Sequence, residues 1–277
     1  MKIKLSTDIK NVSIIGIGFL GRIITERTAV YNYNVRIYDI DPEGLEKLAR
    51  SLTRKKKRKN LFGEVSLHNT LSEAVADADL IIEAVPEKLE LKKEIFSQID
   101  KVAPPHAIIA TNSSSIPVSR IEDAVKRKDK LLNIHFYHPT TTPMVDIMRG
   151  SETSEDTFNK GKNWIESLEL TPLEVKKECL GFVFNRIWRA VKKECLKIWE
   201  GGYAEIETVD KAWRIFTGMG VGPFDLMDVV GLDVVYDIEM SYFNDSGDPK
   251  DKPPQALKDK VDRGELGRKS GKGFYEY

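Results

Sequence analysis

Short β-branched runs and longer amphipathic stretches take turns along roughly the first two-thirds of the chain. "VSIIGIG" and "VRIYDI" have the unbroken apolar character of buried strands, and the stretch from Leu20 to about Tyr31 between them predicts a helix. A second helix starts at Pro42, with Asp41 as its N-cap and the proline in its first turn. "LSEAVADA" and "DLIIEAV" read as helix then strand. "EKLELKKEIFSQIDKV" predicts a strong helix with Leu89, Ile95, Ile99 and Val102 on one face. "AIIATNS", "LLNIHFY" and "MVDIM" are further strands. Strands alternating with helices imply a mostly parallel sheet covered on both faces.

The pattern changes near Lys176. "FVFNRIWRAVKKECLKIWEGG", "ETVDKAWRIFTG" and "PFDLMDVVGLDVVYDIEMSYF" all carry helical spacing, "DSGDPKDKPP" (Asp245 to Pro254) reads as a surface loop, and strand signals return only at the last residues. The expected architecture is therefore α/β: a mostly parallel sheet domain over residues 1–177, then a smaller all-α domain over 178–277. A chain of 277 residues can bury a core in each.

Charge narrows the partners. Lys plus Arg is 43 and Asp plus Glu is 43, so no net field draws in a nucleic acid. No apolar run has the length of a membrane helix or a signal peptide, which predicts a soluble, cytoplasmic protein. The 2 cysteines, Cys179 and Cys195, lie too far apart for a close-spaced redox or zinc pair, and no metal site is expected.

The junction of the first strand and helix carries Gly16, Gly18 and Gly21 in G-x-G-x-x-G spacing. The first glycine permits a tight turn, the second lets the backbone approach a pyrophosphate, and the third lets helix and strand pack closely. The helix N-terminus then offers free N–H groups to the phosphates. Asp39 ends the next strand, where a carboxylate accepts hydrogen bonds from the adenosine ribose and repels a 2′-phosphate. A glycine-rich turn alone would bind nothing in particular. Strand, glycines, helix, strand and acid in that order predict an NAD site.

Of the 4 histidines, His135 and His138 lie in "NIHFYHPTTTPMVDIM", where a strand should emerge at the carboxyl edge of the sheet. Oxidising an alcohol with NAD requires a base for the hydroxyl proton, and an imidazole suits that task. Asp146 is the nearby carboxylate able to fix its tautomer. His68 and His106 read as structural. The hydroxyls of "ATNSSSIPV" are placed to bind a substrate oxygen. Alternatively, one caps a helix over "IPVSRIEDAV" while its neighbour binds substrate.

Taken together, "GIGFLG", "ADLIIEAVPEKLELKKEIF", "TNSSS", "IHFYHP", "GFVFNR", "GPFDLMDVVGLD" and "LGRKSGKGFYEY" resemble the L-3-hydroxyacyl-CoA dehydrogenase family, in the family's order and across nearly the whole chain. The resemblance implies a Rossmann-type N-terminal domain, a helical C-terminal domain that dimerises, and reversible NAD-dependent oxidation of a 3-hydroxyacyl-CoA thioester, short-chain substrates such as 3-hydroxybutyryl-CoA included. By position, His135 matches the catalytic histidine, Asn185 the active-site asparagine and Ser114 the substrate-binding serine. Glu87 and Lys92 match the nicotinamide-side cofactor contacts, and Asn112 lines the same pocket.

Two departures stand out. The family has asparagine where this chain has His138, and glutamate where it has Asp146, with one residue fewer between His135 and the acid. His138 either lines the substrate site or caps a turn before Pro139. The basic run "RKKKRK", Arg54 to Lys59, is either a solvated helix end or a contact for the CoA phosphates. Two competing readings remain: a related dehydrogenase of a free hydroxy acid or sugar acid, and an NAD-binding protein without turnover.

Overall fold

The computed structural model describes residues 8–56, 63–139 and 141–277. The chain forms two compact units, residues 1–183 and 184–277. Among the described residues no helix is long and apolar enough to cross a membrane.

The first unit is built as β1 (Asn11–Ile15), α1 (Phe19–Val30), β2 (Asn34–Tyr38), α2 (Pro42–Lys56), β3 (Val65–His68), α3 (Leu71–Val75), β4 (Leu80–Glu83), α4 (Leu89–Val102), β5 (Ile108–Thr111), β6 (Leu131–Phe136), β7 (Met144–Arg149), α5 (Glu155–Ser167) and β8 (Thr171–Val175). Its single sheet has the order β3-β2-β1-β4-β5-β6-β7-β8. The first six strands of that order run parallel. β7 is antiparallel to β6 and carries β8 parallel to itself. The order reverses between β1 and β4, and ligands of such sheets bind in the crevice at that reversal, beyond the carboxyl ends of the strands.

Both faces of the sheet are covered, and strand alternation sorts the side chains between them. On one face Val12, Ile14, Leu80, Ile82, Ile108, Ala110, Leu132, Ile134, Phe136, Val145 and Ile147 pack against α1, α2 and α5. On the other Ile15, Ile81, Ile109 and Leu131 pack against α3 and α4. The buried positions of α4 are Lys92, Phe96 and Ile99, while Val102 is 42% exposed, so the face expected from Leu89, Ile95, Ile99 and Val102 is rotated toward the lysine. Two further strands, β3 and β8, form the sheet edges. β8 contains Pro172, which an edge strand tolerates because one side of its backbone needs no partner. The helix expected over "IPVSRIEDAV" is instead a pair of 3₁₀ turns, Val118–Arg120 and Glu122–Ala124. The basic run from Arg54 to Lys59 falls largely outside the described residues.

The second unit is helical: α6 (Phe184–Glu200), α7 (Ile206–Thr217), α8 (Pro223–Val230), α9 (Leu232–Ser246) and α10 (Gln255–Asp262). Gly231, at φ 102°, separates α8 from α9. The unit surrounds Leu196, Phe224, Met227, Leu232, Val235, Leu257 and Phe274. Buried carboxylates hold its ends in place. Asp210 accepts from Phe224 N, Asp225 N and the Tyr275 hydroxyl, so α8 is capped from another helix. Asp228 accepts from Phe274 N, Tyr275 N and the Tyr277 hydroxyl and pins the C-terminal residues.

Candidate active site

The glycine turn differs at each of its three positions. Gly16 has φ +103°, and a Cβ there would lie 2.6 Å from the Ala84 carbonyl oxygen. At Gly21 a Cβ would lie 2.0 Å from the Gly16 oxygen, so α1 and β1 can cross only if that residue is glycine. At Gly18 a Cβ would meet nothing within 4 Å and φ is an ordinary −55°. No neighbour in the protein requires a glycine at Gly18; a ligand phosphate pressed against the backbone would. α1 begins one residue later with no side-chain cap and no acid in its first turn, leaving its N–H groups for an anion.

Gly16 and Gly18 border a cavity of about 540 Å³, lined by Ile15 to Gly18, Arg22, Tyr38 to Asp41, Ala84 to Pro86, Leu91 and Ile95. The volume is typical of a small-molecule site. Asp39 is fixed in it from two sides: Oδ2 accepts from Ile17 N at 2.7 Å and Oδ1 from Asp41 N at 2.8 Å. Each carboxylate oxygen keeps a lone pair for a ribose hydroxyl. The chemistry of this cradle fits a dinucleotide.

Beyond it, the α3/α4 face of the sheet turns polar toward the strand ends. Glu83 follows Ile81, Thr111 follows Ile109, and Asn133 and His135 follow Leu131. His135 and Asp146 are direct partners in the antiparallel register of β6 and β7, both buried, with His135 Nδ1 3.1 Å from Asp146 Oδ2. Cross-strand partners stand close enough for the shorter acid to reach. An ionised carboxylate only accepts, so Nδ1 carries the hydrogen and Nε2 presents its lone pair. The Tyr137 hydroxyl donates to the same Asp146 oxygen at 2.7 Å. The imidazole ring packs against Tyr137, with centroids 4.7 Å apart, and against Phe182 at 5.3 Å. Phe182 is buried at φ 50°, a left-handed conformation that bulky residues adopt only when their surroundings enforce it.

A second polar group links α4 to the serine loop. The fully buried Glu83 accepts from Lys92 Nζ through both oxygens, at 2.8 and 3.0 Å, from Thr111 Oγ1 at 2.8 Å and from Val85 N at 2.7 Å. Lys92 Nζ also lies 3.2 Å from Glu87 Oε2. Glu87 in turn accepts from Ser113 Oγ, and from Ser115 Oγ at 2.6 Å and its N–H at 3.0 Å. Burial alone would raise the Glu87 pKa, but Lys92 and the two serine hydroxyls outweigh it and hold the carboxyl below its usual range. Ser113 Oγ also accepts from Ile116 N at 2.7 Å, closing the turn. Ser114 lies between these two tethered serines, exposed, with no hydrogen bond among the described residues.

Gly16, Gly18 and Asp39 thus gather at the cavity, with Gly21 packed against Gly16, and His135 and Asp146 form one pair. Glu87 and Lys92 form another with the serine loop. Asn112 Oδ1 accepts from Phe136 N at 2.9 Å and ties the ends of β5 and β6 together. Asn185 is the second residue of α6, in the other unit. The His138 carbonyl accepts from Thr141 N and Thr142 N. Its ring lies 5.9 Å from that of Phe19, at the start of α1. Sequence reasoning missed Glu83, Tyr137 and Arg22. Tyr137 was detectable, since it lies two residues beyond His135 and shares its face of the chain.

A dinucleotide cradle on the same sheet as a buried histidine–carboxylate pair defines a nucleotide-dependent oxidoreductase. Family comparison agrees. Residues 11–179 match the NAD-binding domain of 3-hydroxyacyl-CoA dehydrogenase, and residues 181–277 match its C-terminal domain. A probable 3-hydroxybutyryl-CoA dehydrogenase of Bacillus subtilis is 34% identical over 98% of both chains. The solved (S)-3-hydroxybutyryl-CoA dehydrogenase of Ralstonia eutropha superposes with TM-score 0.86 at 30% identity, covering 98% of this chain and 99% of the other. A diketoreductase acting on dicarbonyl compounds superposes equally well, with TM-score 0.86 at 32% identity over 98% of this chain and 100% of that one. The chain belongs to the 3-hydroxyacyl-CoA dehydrogenase family, NAD-dependent enzymes that interconvert hydroxyacyl-CoA and ketoacyl-CoA thioesters.

Proposed function

We propose that the protein interconverts short-chain L-3-hydroxyacyl-CoA and 3-ketoacyl-CoA, with His135 as the general acid and base. The observation that carries this reading is the cross-strand pair His135–Asp146, 3.1 Å apart and buried at the carboxyl edge of the sheet. NAD, when bound, supplies the acceptor for the hydride that leaves the substrate carbon. The chain's own residues handle the proton and the orientation. His135 takes the hydroxyl proton at Nε2, and the ring becomes an imidazolium whose charge Asp146 stabilises through Nδ1–H. Tyr137 donates to the same Oδ2 and restricts the acid's rotation. Ser114 donates to the substrate oxygen, its backbone held by Ser113 and Ser115 through Glu87. Gly16, Gly18, Gly21 and Asp39 hold the dinucleotide's adenosine and pyrophosphate, while Glu87 and Lys92 face its nicotinamide side. The substrate-binding role of Asn185 rests on the resemblance alone.

The reading includes a homodimer formed through the helical unit. α7 to α9 expose Ile215, Phe216 at 92%, Met219, Val229, Val230, Val234 and Ile238, more apolar surface than a solvated face needs. It also includes a cytoplasmic setting, where the free thiols Cys179 and Cys195 stay reduced.

The test is NADH absorbance with acetoacetyl-CoA, longer ketoacyl-CoA thioesters and free acetoacetate. Turnover of acetoacetyl-CoA at least a hundredfold above acetoacetate is the expected result. The likeness to a diketoreductase supports a second reading, in which an unesterified dicarbonyl is the substrate. Preference for the free acid would establish it.

A further inference from the structure

We propose that Arg22 grips the pyrophosphate of the bound dinucleotide, an assignment that rests on the cavity beside the glycine turn being the cofactor site. The charges around that cavity motivate it. Among its described lining residues, Asp39 and Asp41 are acidic, Arg22 is the one cation, and the remainder is uncharged. A dinucleotide brings two more negative charges into that space. The N-terminus of α1 offsets only about half a charge. Without Arg22, an entering anion would be repelled by two carboxylates with only the helix N-terminus to offset them.

Geometry supports the same conclusion. Arg22 lies in the first turns of α1, one residue beyond Gly21. Its Nε donates to the Ile17 carbonyl oxygen at 2.8 Å. Ile17 lies between Gly16 and Gly18, so that bond lays the guanidinium against the turn itself. Asp39 holds the same residue through its N–H, at 2.7 Å. The acid and the guanidinium therefore grip Ile17 by different atoms, and among the described residues they form no ion pair with each other. One donor of the planar fork is used in anchoring. Arg22 lines the cavity, and its terminal Nη groups have no hydrogen-bond partner among the described residues. A guanidinium pre-anchored by one edge loses little freedom when the other edge takes a phosphate oxygen, and paired N–H donors match a phosphate better than an ammonium does. The open space beside Gly18 brings that phosphate within reach.

The test is calorimetric titration of adenosine, ADP, NADH and NADPH into the full-length wild type, Arg22→Gln and Arg22→Lys, with melting temperatures recorded for each. Arg22→Gln is expected to weaken ADP and NADH about tenfold, as loss of one charge-assisted contact should. Adenosine, which has no phosphate, should bind unchanged, and Arg22→Lys should recover part of the loss. Unchanged ADP and NADH binding in Arg22→Gln would overturn the proposal. So would a loss confined to NADPH, which would move Arg22 to the 2′-phosphate. An equal loss for adenosine would also overturn it, because Arg22 would then act only by holding Ile17. Failure of the wild type to bind ADP at all would refute the cofactor-site reading beneath it.

Discussion

The two faces of the central sheet share the same strands and differ in what those strands place at their ends. On the α1/α2/α5 face the alternation stays apolar to the last residue: Leu80 and Ile82, Ile108 and Ala110, Leu132, Ile134 and Phe136. On the α3/α4 face it begins with Ile81, Ile109 and Leu131 and finishes with Glu83, Thr111 and His135. Every one of those polar groups is buried, and each has a partner. Burying such groups costs stability wherever a partner is lacking, as it is for the buried Asp146 Oδ1 and Asn133 Nδ2. One face supplies stability, and the other exchanges some of it for a fixed arrangement of charges at the carboxyl edge. Substitutions on the two faces should therefore separate stability from turnover.

The largest separation is expected at His135. His135→Asn should lower kcat about a thousandfold, roughly 4 kcal/mol, while NAD affinity by calorimetry changes little. Unchanged turnover would remove His135 as the base. Next comes Glu83, which lies in the polar half without belonging to the histidine pair. Glu83→Gln leaves the Lys92 ammonium, 1% exposed, without its main counter-charge. A loss of about 3 kcal/mol in denaturant unfolding is expected, with a raised KM for the ketoacyl substrate as the serine loop loosens. Stability loss with an unchanged KM would confine Glu83 to a structural role. On the apolar face, Ile134→Val should cost about 1 kcal/mol and leave kcat and KM alone. A change in turnover there would blur the distinction between the faces.

The smallest effect is a pH dependence. Glu87 has its pKa lowered in the folded state, so its contribution to stability is present above the unfolded carboxylate value and is lost as pH falls through the lowered one. Unfolding midpoints of wild type should therefore fall on acidification more steeply than those of Glu87→Gln. Parallel curves would mean that Lys92 and the serines do not stabilise the charge.

Much of this contrast was legible in the sequence. Glycine spacing, the acid after β2 and two histidines at a strand end can be read without coordinates because each is a local pattern. Antiparallel pairing of β6 with β7 was not, although it is what sets His135 opposite Asp146 and lets the shorter acid serve. The resemblance marked Lys92 as a cofactor contact, but nothing marked it as a buried partner of Glu83, since an apolar helix face is read from its hydrophobic residues and a lysine does not register. That omission also misplaced Val102 on the buried face. β3 and β8 escaped because edge strands are short and half-exposed, and Pro172 argues against a strand unless the edge is known. The capping of α8 by Asp210 joins residues on different helices and has no local signature.

The central claim is that Asp146 acts on the reaction through His135, and a double-mutant cycle tests it most directly. NADH consumption with acetoacetyl-CoA would be followed in wild type, Asp146→Asn, His135→Asn and the double variant. The account predicts that Asp146→Asn alone costs about a hundredfold in kcat and that the double variant is no slower than His135→Asn. Losses that multiply in the double variant would contradict it, because the carboxylate would then act independently of the imidazole.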